Sequence, residues 1–184
     1  MDESGFYTGK GDRGTTTRLG DSRRVDKDSA LIEVVGALDE ATAAIGVARA
    51  HAQSPMLQEE LITVQRHLYR LLSHLSATPE KRSAYQSLSG EDVAWLEALI
   101  AGIERQLPPL RDFVLPGDSV SSAAFHMART IVRRAERRLV AFFKLEPGLG
   151  EDSLAYINRL SSLMFVAALN EDSERGHEPT LSRG

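Results

Sequence analysis

Cysteine is absent from the 184-residue chain, which excludes disulfides, zinc–thiolate centres, iron–sulfur clusters and thiol nucleophiles. Aromatic residues make up only 6%, so there is little material for the stacking platforms that grip single-stranded nucleic acid. The N-terminal stretch carries Asp2 and Glu3 and no apolar core, unlike a secretory signal. The uncharged run Leu160–Asn170 falls well short of the roughly 20 residues that a membrane span needs. No segment alternates apolar and polar residues convincingly, and no repeat period is present. A net charge of −4 argues against non-specific nucleic-acid binding. Charged residues at 26% and hydrophobic residues at 42% match a globular chain able to bury one core. The expectation is a soluble, cytoplasmic protein forming one domain, residues 1–184.

Residues 1–27 hold five glycines and several threonines without an apolar period, and read as a loop arm. Five helical stripes follow. The first opens at Asp28 as N-cap and repeats through Leu31, Val34, Val35, Leu38, Ile45 and Ala48 before Pro55,. The second carries Leu57, Leu61, Val64, Leu68, Leu71, Leu72 and Leu75. Beyond a polar connection, residues 78–88, Ser89 and Asp92 form a capping box for a helix that Pro108-Pro109 ends,. A fourth helix starts near Ser119 and runs to Phe142. Pro147-Gly148 and Gly150 separate it from the last, built on Leu154, Ile157, Leu160, Leu163, Met164 and Ala167. Residues 172–184 read as a frayed tail. The predicted fold is all-α: a five-helix bundle over 28–171 with ferritin-like up-down packing.

Four features carry candidate chemistry. Tyr7-Thr8-Gly9-Lys10-Gly11-Asp12-Arg13-Gly14-Thr15-Thr16-Thr17 has the glycines and hydroxyls that let backbone N–H groups converge on an anion. It is not a Walker A loop, because Gly11 follows Lys10 and no strand precedes it. The plain alternative is a flexible arm. Arg129, Arg133 and Arg137 share one face of the fourth helix at i, i+4, i+8,, where like charges repel by a few tenths of a kcal/mol per pair. Phosphate oxygens would offset that, and a solvated charged face is the bland alternative. Asp39-Glu40 in the first helix and Asn158-Arg159 in the last are polar pairs on apolar helices, explained by solvent exposure or by specific bonds. The di-iron alternative fails: the only Glu-x-x-His runs from Glu174 to His177, and histidines 51, 67, 74, 126 and 177 form no ligand cluster,.

Three blocks together resemble the PduO-type ATP:cob(I)alamin adenosyltransferases, also called corrinoid adenosyltransferases. They are Tyr-Thr-x-x-Gly-Asp-x-Gly-Thr-Thr at 7–16 with Lys27-Asp28 and Val35-Gly36-x-x-Asp39-Glu40; Phe-Val-Leu-Pro-Gly at 113–117 leading into Ala128 to Arg138; and Asn158-Arg159-Leu160-Ser161-x-x-x-Phe165. The resemblance implies transfer of the 5′-deoxyadenosyl group of ATP to the cobalt of cob(I)alamin, with triphosphate released and Mg²⁺ riding on the phosphates. It implies a homotrimer with active sites between subunits, and leaves room for a reductase and an adenosylcobalamin-dependent enzyme as partners, without nucleic acid or membrane.

By the same resemblance, Thr8, Gly9, Lys10, Gly11, Asp12, Gly14, Thr16, Thr17 and Lys27 would embrace the ATP phosphates. Arg133, Arg134 and Arg137 would bind phosphate oxygens, with Glu136 and Asn158 completing the nucleotide site. Arg133, Arg137 and Phe113 would be catalytic. Phe113 would press on the cobalt face of the corrin, helped by Phe165, while Asp39 pairs with Arg129 beside it. Lys10 and Asp118 stand where many relatives have Thr and Gly, so altered affinity is expected from both. The tail lacks an aromatic residue with which to cap the corrin. A non-catalytic bundle binding nucleotide or cobalamin, as sensor or chaperone, is the alternative, and an RNA-binding bundle is the third.

Overall fold

A computed structural model describes residues 9–146 and 150–183. Its five helices are α1 (Ala30–His51), α2 (Pro55–Ser76), α3 (Gly90–Glu104), α4 (Val120–Leu145) and α5 (Glu151–Glu174). The leucine stripe of α2 is buried along its whole length, and α4 packs extensively on both α1 and α5. Helix directions follow from the pairs that bridge them. Glu33 meets Arg138 and Glu40 meets Arg134, so α1 and α4 are antiparallel. His67 reaches Tyr156 while Gln53 reaches Glu171, so α2 and α5 are antiparallel as well. The up-down bundle is as expected. No helix among the described residues is long and apolar enough to cross a membrane.

Three local expectations are corrected. The N-cap of α1 is Ser29, not Asp28, a shift of one residue of the kind common at helix ends. The arm is not all loop. Thr15–Thr17 (β1) pairs antiparallel with Arg24–Asp26 (β2), Thr16 opposite Val25. Three-residue strands are too short to show a period. Finally, the tail is not frayed. Helix α5 continues to Glu174, and beyond it Leu115 N–H donates to Thr180 O at 2.8 Å and Ser182 N–H to Phe113 O at 2.8 Å.

Two polar devices hold the helices in register. Glu171, fully buried on α5, accepts from the N–H groups of Gln53 and Ser54 at 2.9–3.2 Å. A carboxylate thus sits at the positive start of α2, satisfying donors that the helix cannot satisfy itself. Asp92, at the start of α3, accepts from Ser89 N–H at 2.9 Å and from Arg70, and lies 3.3 Å from His67. Burial alone would raise the Asp92 pKa, but the bonds from Ser89 and Arg70 outweigh it and hold the carboxyl below its usual value. A carboxyl with a lowered folded pKa stabilises fully above its unfolded value, about 3.9, and loses that contribution as pH falls through the folded one. Asp92→Asn should therefore cost about 1.5–3 kcal/mol in urea melts at pH 7, with the gap to wild type closing below roughly pH 4. A gap that persists unchanged into acid would mean that the charge contributes nothing.

Candidate functional site

The arm is folded onto the bundle by arginines. Arg18 donates to Ala77 O at 2.6 Å, at the C-terminal end of α2, where unpaired carbonyls gather. Arg24 donates to Lys10 O at 2.6 Å and to Thr15 Oγ1 at 3.0 Å, tying the glycine turn to the hairpin. Lys27 Nζ donates to Gly11 O at 3.0 Å. Gly14 has φ +76° and its carbonyl accepts from Lys27 N–H, a left-handed conformation that side chains strain to adopt. Gly9, Lys10, Gly11, Asp12, Gly14, Thr16, Thr17 and Lys27 are therefore gathered into one small, folded unit. Tyr7 and Thr8 lie outside the described residues. Beside this unit, Thr17, Arg18, Val35, Gly36 and Asp39 line a cleft of about 540 Å³.

A second cleft, about 690 Å³, is lined by Leu110 to Val114, His126, Arg129, Phe165 and Arg183. Phe113 is 81% exposed at its mouth. An aromatic side chain left this open contributes nothing to the core and offers apolar area to a ligand or partner. The floor is polar: His126 is buried at 3% exposure, and its two ring nitrogens and Arg129 Nε have no hydrogen-bond partner. Burial, then the Arg129 charge, push the His126 pKa down against the opposing pull of Asp172 and Asp118. No ligand cluster in the sequence marks this histidine. Its position one turn before Arg129 was the available signal.

From that floor Arg133 and Arg137 continue along the same face of α4,. Arg133 lies 3.7 Å from Glu136, and Arg137 donates to Arg133 O at 3.1 Å. Glu136 accepts from Asn158 at 2.9 Å, and Asn158 accepts from Arg159, so the polar pair on α5 has specific bonds. Arg134 and Arg138 form the adjacent stripe, about 100° further round the helix, and pair with Glu40 and Glu33 of α1. Two of the five arginines on α4 thus bond to a neighbouring helix, Arg134 through a pair that is half-exposed on both sides. Asp39 and Arg129 are not brought together within one chain. They line different clefts with no lining residue in common. Among the described residues, no group of three or more His, Asp or Glu side chains is placed to hold a metal ion.

Asp118 departs from expectation in a useful way. Its carboxylate accepts from Thr180 N–H at 2.8 Å and Thr180 Oγ1–H at 2.6 Å, and these two bonds hold its pKa down. It anchors the tail to the Phe113 loop, and Arg183 consequently reaches the cleft rim. Asp118→Ala should free residues 176–183, raising their amide exchange by at least tenfold for a loss of about 1.5–3 kcal/mol of bonding to a charged group. Unchanged exchange there would show that the backbone pairing alone holds the tail.

Residues 6–171 match the family model described as cobalamin adenosyltransferase. The chain is 40% identical over 167 residues to a corrinoid adenosyltransferase of Bacillus subtilis, covering 89% of this chain and 84% of that one. It is 38% identical to the corrinoid adenosyltransferase PduO of Citrobacter freundii, over 92% of this chain and only 50% of that longer relative. Its structure matches a variant of the PduO-type ATP:corrinoid adenosyltransferase from Lactobacillus reuteri, complexed with cobalamin and ATP. That match has a TM-score of 0.88 and 29% identity, covering 97% of this chain and 99% of the other.

Proposed function

Because the chain belongs to the cobalamin adenosyltransferase family, we propose that its two clefts are halves of one active site, closed between neighbouring copies of a homotrimer. The activity is ATP-dependent transfer of the 5′-deoxyadenosyl group to the cobalt of cob(I)alamin. The observation that carries the assignment of parts is the arginine ladder. Arg129 lines the cleft that also holds Phe113 and Phe165, and Arg133 and Arg137 climb out of it on one helix face. A corrin in the cleft and a triphosphate along the ladder would bring cobalt and C5′ of ATP to the same end of α4.

Cob(I)alamin is already a strong nucleophile, so no protein base is needed. A Co–C5′ bond forms, the C5′–O5′ bond breaks, and triphosphate leaves with the electron pair. The negative charge gathering on that oxygen is what the protein must stabilise, and fixed cationic donors do so without reorganising. Arg133 and Arg137 supply them from one subunit. The folded glycine turn, with Lys27 beneath it, supplies more from the next. Asp39 would then reach Arg129 across the subunit boundary. Glu136 is already engaged by Asn158 and Arg133, so magnesium is assigned to the phosphates of the substrate. Phe113 and Phe165 exclude water from the cobalt face. A reductase supplies the cobalt(I) state, and an adenosylcobalamin-dependent enzyme takes the product, all in the cytoplasm.

Sedimentation at micromolar concentration should give a single species of three chains. A stable monomer that still turns over would overturn the shared site. The chemistry is tested by identifying the phosphate product: attack at C5′ releases intact triphosphate, whereas pyrophosphate or orthophosphate would place the attack at phosphorus.

A further inference from the structure

His126 differs from the other histidines that face the interior. His67 is satisfied by Tyr156 at 2.9 Å and by Asp92 at 3.3 Å, and His74 by Tyr85 O at 2.8 Å. His126 has no partner on either nitrogen although only 3% of it is exposed. A buried polar group left unpaired costs more than a bond made elsewhere returns, so such groups normally have a purpose. Its ring lies beside Phe165, with centroids 5.9 Å apart and planes tilted by 60°, at the floor of the Phe113 cleft. The Arg129 Nε beside it is unpartnered too.

Resting on the cobalamin reading of this cleft, we propose that His126 is a specificity-determining residue that hydrogen-bonds a carboxamide arm on the rim of the corrin. The corrin face is apolar and suits Phe113 and Phe165, but its rim bears acetamide and propionamide arms that carry donors and acceptors. A neutral imidazole offers one N–H donor and one acceptor, so it can meet either end of a primary amide. Burial and the Arg129 charge push the ring pKa down, which favours that neutral form. His126 thereby orients the ring plane against Phe113 and touches neither ATP nor the cobalt.

The test is binding of cob(II)alamin without ATP turnover, together with derivatives in which one propionamide is hydrolysed to the acid. His126→Leu should bind cob(II)alamin roughly tenfold more weakly, the usual loss for one hydrogen bond, with ATP affinity unchanged. His126→Asn should recover part of the loss. For one derivative the hydrolysis should change wild-type affinity by a clearly different factor than it changes that of His126→Leu, revealing coupling between the two groups. The same hydrolysis factor for both proteins at every position would overturn the inference. If neither variant folds, the ring ¹⁵N resonances of wild-type His126 decide: a shift on adding cob(II)alamin supports the bond, and no shift refutes it. A wild type that binds no cobalamin would remove the cobalamin reading itself, which is a separate failure.

Discussion

Arg133→Ala and Arg137→Ala should each lower the rate of adenosyl transfer by about 10²- to 10³-fold, equivalent to roughly 2.7–4 kcal/mol in the barrier. Thermal midpoints should hardly move. Arg133 is 52% exposed and its acidic partner, Glu136, lies one turn away on the same helix, an arrangement that contributes at most about 1 kcal/mol to folding. Charge that does so little for the fold is free to act on a leaving group. Arg134 is the internal comparison, being tied to Glu40 of α1. Arg134→Ala should cost turnover less than either neighbour does. Equal losses at all three positions would mean that Glu40 releases Arg134 when ATP binds. Near-normal turnover in Arg133→Ala and Arg137→Ala would leave the ladder a solvated stripe.

The second large effect is expected at Phe113. Its ring is 81% exposed, so truncation removes nothing from the core, and Phe113→Ala should fold and bind ATP as wild type does. Burying a phenylalanine side chain is worth about 1.5–3 kcal/mol. If the corrin face is what buries it, transfer starting from cob(II)alamin should slow by roughly 10- to 100-fold. The bound Co(II) of the variant should keep its lower nitrogenous ligand, while wild type should displace it and give a four-coordinate spectrum. Identical spectra from the two proteins would leave Phe113 without a role at the cobalt.

The bundle was legible where burial repeats with helical spacing. Leu57, Leu61, Val64, Leu68, Leu71 and Leu75 are buried as their spacing demands, and the Ser89–Asp92 capping box forms as read. What escaped depends on contacts distant in sequence. Nothing local marks Glu171 as the cap of a helix that begins 116 positions earlier at Pro55, nor Thr180 as the partner of Asp118. The arm was harder still. Its strands are three residues long, and Arg24, which ties them together, is one more charge in a polar stretch. The basic run of α4 was visible as a whole, but its division was not. Arg134 and Arg138 turn towards α1 because acids stand there two turns apart, at Glu33 and Glu40, and that needs the packed pair of helices. His126 hid for the opposite reason, since an unsatisfied nitrogen has no signature until its surroundings are known.

The central claim is that this chain makes a cobalt–carbon bond and does not merely hold the two substrates. Purified protein mixed with ATP, magnesium and cobalamin, under a reductant strong enough to give cob(I)alamin, should convert it to adenosylcobalamin. The product should be recognised by its base-on spectrum and its loss on illumination, with one triphosphate released for each one formed. Tight binding of both substrates without any light-sensitive product would contradict the account and identify the bundle as a carrier or sensor.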